Sequence, residues 1–140
     1  MNPPKPELFE RGKIRNREAA RQIRDFSGLK WGAITPTDID GYFEINNVAF
    51  VFVEIKYRNS ELPYGQRLAL QRLVDNIGEN KQAILILARH DVESGGDINA
   101  ATCEVAKYYF RGGWHEIQRK QTLKEFCDWF IDFSGAIEIP

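Results

Sequence analysis

The residues of this chain best equipped for chemistry lie at the end of one strongly apolar segment, AFVFVEIKYR (Ala49 to Arg58), and in the segment TPTDIDGYFE that precedes it. Period-two alternation places Phe50, Phe52, Glu54 and Lys56 on one side of an extended chain, and Val51, Val53, Ile55 and Tyr57 on the other. Two charges therefore extend a row that begins apolar. The preceding segment adds Asp38 and Asp40. Burying such charges without partners costs several kcal/mol. Carboxylates suit a hard divalent cation, and a lysine ammonium suits the negative charge that builds on phosphoryl oxygens. The pattern reads as a metal-dependent nuclease site.

Several elements must hold these groups. Lys13 to Phe26 has strong helix formers and no Gly or Pro, with Ala19, Ile23 and Phe26 at helical spacing, and Ser27-Gly28 ends it. Leu29 to Ile34 (LKWGAI) is expected as a short first strand, with Pro36 pushing Thr35 toward an extended conformation. Strands over Ile39 to Ile45 and Ala49 to Tyr57 follow, joined near Asn46-Asn47, which tolerate positive φ. The stretch GQRLALQRLVDNIG predicts a helix with Ala69, Leu70, Leu73, Val74 and Ile77 as its apolar stripe and Gly78 as its stop. Gln82 to Ala88 is a nearly continuous apolar run of strand length, expected at the centre of a sheet covered on both faces. Beyond the loop-like HDVESGGDINAAT, Val105 to Phe110 and Trp114 to Ile117 predict a hairpin across Gly112-Gly113. TLKEFCDWFIDF predicts a closing amphipathic helix, with Thr122 and Glu125 as a capping box. This order implies an α/β fold with a mixed central sheet flanked by helices.

An Asp, a hairpin, Glu54-Ile55-Lys56 at the end of an apolar strand and a Gln-bearing helix directly after it resemble the PD-(D/E)xK nuclease superfamily. The resemblance spans about Glu7 to Asp91 and rests on motif and element order. It implies an αβββαβ core followed by a C-terminal hairpin and helix, all in one domain over residues 1–140. It also implies hydrolysis of phosphodiester bonds in DNA with Mg²⁺, or Mn²⁺ in its place. Asp40, Glu54 and the backbone carbonyl of Ile55 would hold the metal. Lys56 would orient or deprotonate the attacking water and stabilise charge at the phosphate. Gln66 continues the inward stripe of its helix, four residues before Leu70, and matches a Gln that several branches place against the catalytic Lys or the DNA. The chain departs from the QxxxY pattern of the RecB-like branch by having Leu70 in the Tyr position.

The hairpin contains a geometric requirement. A two-residue loop at Asn46-Asn47 would pair Ile45 with Val48 and leave Asp40 opposite Val53, on the wrong sheet face. A three-residue loop, Asn46 to Val48, pairs Ile45 with Ala49 and sets Asp40 opposite Glu54. The same register makes Ile39, Phe43, Ile45, Val51, Val53 and Ile55 one apolar face. Asp38 shares Asp40's parity and is the alternative first ligand. Glu18 and Glu10 are further acidic candidates, although Glu18 falls about 100° from the centre of its helix's apolar stripe. His90 and His115 have no evident nucleophile or metal partner and read as ordinary histidines. Tyr108, Tyr109, Phe110 and Trp114 are either base-stacking groups or core.

The 140 residues suit one domain, and the net charge of −1 argues against a protein that coats nucleic acid by bulk electrostatics. Between Met1 and Lys30, eight Lys or Arg face four acids, either as a phosphate-contacting helix or as a solvated one. Cys103 and Cys127 lack metal-site spacing and are expected as free buried thiols. No apolar run reaches membrane-span length and the N-terminus lacks a signal-peptide apolar region, so the expected compartment is the cytoplasm. The competing function is a nucleic-acid-binding or assembly domain that kept this fold without turnover. A symmetric homodimer, through the late hairpin or last helix, is expected if the substrate is a junction or a palindrome.

Overall fold

The computed structural model describes residues 25–136. The chain divides into two units, Met1–Pro36 and Thr37–Pro140. The second holds a five-stranded sheet in the order β1 (Gly41–Ile45), β2 (Ala49–Tyr57), β3 (Gln82–His90), β4 (Glu104–Phe110), β5 (Gly113–Glu116). Only β2 and β3 run parallel, joined by helix α1 (Tyr64–Ile77), and every other neighbouring pair is antiparallel. Helix α2 (Leu123–Phe133) closes the fold. The expected α/β architecture with a mixed sheet is present.

Alternation along β2 explains the layering. Val51 and Val53 pack with Ile84, Ile86, Phe126 and Phe130 on the α2 face, while Phe52 packs with Leu70, Val74, Leu85 and Tyr109 on the α1 face. The run Ala83 to Ala88 is buried throughout because both faces of β3 are covered. In α2, Leu123, Phe126, Cys127 and Phe130 are buried at positions i, i+3, i+4 and i+7, a single stripe pressed on the sheet. Its capping box is formed as expected, with Thr122 Oγ1 accepting from the Glu125 amide and Glu125 Oε1 accepting from the Thr122 amide, each at 3.2 Å. Thr122→Ala is expected to cost about 1 kcal/mol in urea denaturation, and an unchanged midpoint would show that the cap contributes nothing. Cys103 and Cys127 are free and buried, and burial pushes the Cys127 thiol up to about 11, so neither is poised as a nucleophile.

Three expectations need correction, and a fourth lies almost wholly outside the described residues. Leu29 to Ile34 forms no strand: Gly32, at φ 64°, lets the chain reverse at once, and Trp31 and Ile34 exchange backbone hydrogen bonds of 2.9 and 3.0 Å. The αβββαβ order therefore loses its first strand among the described residues. The helix expected over Lys13 to Phe26 lies outside the described residues except for Asp25 and Phe26, which are not helical. Ala69 and Leu73 are exposed because α1 packs along the single row Leu70, Val74, Ile77, and Gly78 ends it in right-handed rather than left-handed geometry. The last hairpin turns one residue earlier than expected, on Arg111 and Gly112 at φ 50° and 81°, as a two-residue turn with both φ positive requires.

Candidate functional site

The β1–β2 hairpin has the register that the carboxylate pair needs. Ile45 pairs with Ala49 and Gly41 with Val53, so the next pair outward is Asp40 with Glu54. Asn46 and Asn47 both take positive φ (51° and 59°), the Val48 amide closes the turn on the Ile45 carbonyl at 2.9 Å, and Val48 is the extra residue that shifts the register. Phe43, Ile45, Val51, Val53 and Ile55 join the α2-side core as expected. Ile39 does not, being 40% exposed where the chain has left the ladder.

Asp40 sits just before β1, at the surface, and its Oδ2 accepts the Ile55 amide at 2.8 Å. Its own amide donates to Glu54 Oε2 at 3.3 Å. Glu54 is fully buried, and among the described residues it is the one charged side chain in that class. Gln66, in the first turn of α1, donates to Glu54 Oε1 at 2.6 Å and to the Asp38 carbonyl at 3.1 Å through the same nitrogen. Gln66 therefore meets the acid rather than Lys56. Asp38 enters through its backbone. Lys56 is half-buried on the same strand face, and among the described residues no hydrogen bond or ion pair engages its ammonium.

The electrostatics follow from this geometry. Burial first, then the hydrogen bond and negative charge of the Asp40 carboxyl, push the Glu54 acid up from 4.5 to about 8, with the Asp40 amide and the Lys56 ammonium pulling the other way. At neutral pH Glu54 thus holds its proton beside the Asp40 carboxyl. A divalent cation held there would relieve the same repulsion and displace the Glu54 proton. Mg²⁺ is commonly held by one or two carboxylates, with water and substrate oxygens completing its shell, and Asp40 with Glu54 fits that demand. Among the described residues no three His, Cys, Asp or Glu side chains converge, so an all-protein cage of the kind zinc uses is not formed there. The Ile55 contact in hand is its amide on Asp40, which fixes the carboxylate next to the backbone position expected as a third donor.

The other candidates fall outside this cluster. Glu10, Glu18 and the basic residues from Lys5 to Arg24 lie outside the described residues. His90 Nδ1 accepts the Val92 amide at 3.1 Å and its ring lies 5.4 Å from that of Tyr57, while His115 meets the Phe110 carbonyl at 3.3 Å. Tyr109 is core, its hydroxyl tied to Asp75 at 2.8 Å, and Trp114 Nε1 donates to Gln71 at 2.9 Å, so both anchor α1 to the sheet. A cavity of about 750 Å³ opens beside Arg58, His90, Asn99 and Cys103, yet Asp40, Glu54, Lys56 and Gln66 do not line it. The carboxylate site instead grades from the buried Glu54 through half-buried Lys56 to exposed Asp40. Sequence reasoning missed Arg89, the register partner of Lys56 in the parallel pair. Its only signal was a charge at the end of an otherwise apolar run.

No protein-family model, curated protein or solved structure matches this chain.

Proposed function

We propose that this protein is a Mg²⁺-dependent nuclease that hydrolyses phosphodiester bonds in DNA. The observation that carries the reading is the Asp40–Glu54 pair, set face to face by the hairpin register, with Lys56 two residues on and Gln66 bonded to the buried acid. A structural salt bridge does not require a fully buried acid that keeps its proton at neutral pH, and such groups concentrate where charge must be handled in a reaction.

Asp40 and Glu54 would hold Mg²⁺, which when bound supplies an acidified water and neutralises charge on the phosphoryl oxygens. The chain's own contribution is orientation. The Ile55 amide fixes the Asp40 carboxylate, and Gln66 together with the Asp40 amide fixes Glu54, so both carboxylates are arranged before any cation arrives. Lys56, half-buried on the same strand face as Glu54, would direct its ammonium to the water and the phosphate oxygens and stabilise developing charge there. A site that runs out to the exposed Asp40 would suit a long substrate, including branched DNA of the kind met in repair, recombination or mobile-element transfer. None of the described helices is long and apolar enough to cross a membrane.

The test is cleavage of linear duplex, single-stranded, flapped and four-way-junction DNA with Mg²⁺ or Mn²⁺ by wild type and Lys56→Ala. Metal-dependent cutting by the wild type, reduced about 10²–10³-fold in Lys56→Ala with binding retained, is the expected result. Equal binding by both proteins without cutting of any substrate would favour a DNA-binding or assembly domain instead. Paired cuts in a junction by a species of twice the monomer mass would identify the symmetric dimer.

A further inference from the structure

Lys56 on β2 and Arg89 on β3 are register partners and share the α1 face of the sheet, but their side chains do different things. Arg89 is 23% exposed, and three of its five N–H donors are engaged. Nη1 donates to the backbone carbonyls of Arg58 at 2.8 Å and Ser60 at 2.7 Å, and Nη2 donates to Glu61 Oε1 at 3.2 Å. All three acceptors belong to the connector that runs from the end of β2 to the start of α1. The connector is held elsewhere too: Glu61 Oε2 lies 3.6 Å from Lys107 Nζ, Leu62 is buried, and the Arg58 amide bonds to the His90 carbonyl at 2.7 Å.

This matters because α1 begins without a side-chain cap. Pro63 occupies the N-cap position and can only offer its carbonyl to the Arg67 amide, at 2.9 Å. The place where the helix starts is thus left to the connector, and Gln66 follows Pro63 by three residues. We propose that Arg89 is a positioning residue of the carboxylate site: by clamping the connector it sets the start of α1 and holds the Gln66 amide on Glu54. Arg89 does not reach substrate. A planar guanidinium can serve three acceptors in fixed directions, whereas a lysine at the same position presents one mobile point charge. The activity part of this inference rests on the nuclease reading, and the geometric part does not.

The experiment therefore has two arms, both on the full chain. In the first, the side-chain amide of Gln66 is followed by ¹H–¹⁵N NMR in wild type, Arg89→Lys and Arg89→Ala, without metal or DNA. Loss of the clamp should move the Gln66 amide protons toward the values of a solvated glutamine and speed their exchange with water, while the β3 and α2 backbone resonances stay in place. In the second, single-turnover cleavage with Mg²⁺ should fall about 10–100-fold in Arg89→Lys with KM changed less than about threefold. The double variant Arg89→Lys, Gln66→Ala should be no slower than Gln66→Ala alone, because both act through one contact. Unmoved Gln66 resonances in folded Arg89→Lys, or losses that multiply in the double variant, overturn the proposal. A wild type that cuts no DNA defeats the nuclease reading and leaves the NMR arm to decide the role of Arg89; Arg89→Lys serves where Arg89→Ala fails to fold.

Discussion

Glu54→Gln is expected to remove Mg²⁺-dependent cleavage, by about 10²–10³-fold or more, while making the protein more stable at alkaline pH. The two effects have one cause. Glu54 is held fully out of water beside Asp40, and its folded pKa, about 8, stands above the ordinary 4.5. Folding therefore takes up a proton between those pH values. The contribution of the neutral acid to stability is fully present below pH 4.5 and is lost as pH rises through about 8, where the buried carboxylate must ionise. Glutamine keeps an oxygen for the Gln66 amide and has no charge to bury, while its NH₂ gives up the 3.3 Å bond that Glu54 Oε2 accepts from the Asp40 amide. The melting temperature of Glu54→Gln should exceed that of wild type at pH 9 by an amount equivalent to about 1–3 kcal/mol, and the gain should vanish near pH 4. A difference that does not change with pH would mean that Glu54 titrates as an ordinary exposed acid. Calorimetry in buffers of different ionisation enthalpy checks the same linkage: Mg²⁺ binding to wild type should release up to one proton near pH 7 and progressively less above pH 8.

The second large effect concerns the opposite face. Phe130 is fully buried, and its ring meets those of Phe110 at 5.7 Å and Phe133 at 6.3 Å. Phe130→Ala removes most of a large side chain from the contact between α2 and the sheet, and it should cost about 3–5 kcal/mol. Trp129, one residue earlier and 46% exposed, is the control, with an expected loss below about 1 kcal/mol for Trp129→Ala. Guanidinium denaturation followed by far-UV circular dichroism separates the two. Because Phe130 lies across the sheet from Glu54, the folded fraction of Phe130→Ala should keep the wild-type cleavage rate. Similar small losses in both variants would show that α2 is not seated on this core.

Much of this site is local in origin, which is why it could be read from the residues. The parity of Glu54 and Lys56 follows from the two-residue period of an extended chain. The requirement for Val48 as a third loop residue follows from the need to keep Phe43, Ile45, Val51 and Val53 on one face, so the Asp40–Glu54 pairing was contained in the hydrophobic pattern itself. The capping box at Thr122 and the stop of α1 at Gly78 are likewise short-range matters, although the backbone geometry at Gly78 was not. Where local signals conflicted, the reading failed: the apolar residues of LKWGAI suggested a strand, but Gly32 freed the chain to reverse within two residues.

What the tertiary structure decided depends on groups that are far apart in the chain. Leu70, Ala69 and Leu73 look alike as an apolar stripe, and only docking against Phe52 and Leu85 selects the row that faces inward. The full burial of Glu54, and with it the raised pKa of its acid, arises because β3 and α1 cover a strand end whose own sequence specifies only which face it lies on. Gln66 reaches that acid, and Arg89 the connector before it, across 12 and 28 to 31 positions of sequence respectively. The short-range pattern of the chain therefore determined which chemical groups share a face. Packing determined how dry that face is, and dielectric and cross-chain hydrogen bonding are properties of neighbours that no local period encodes.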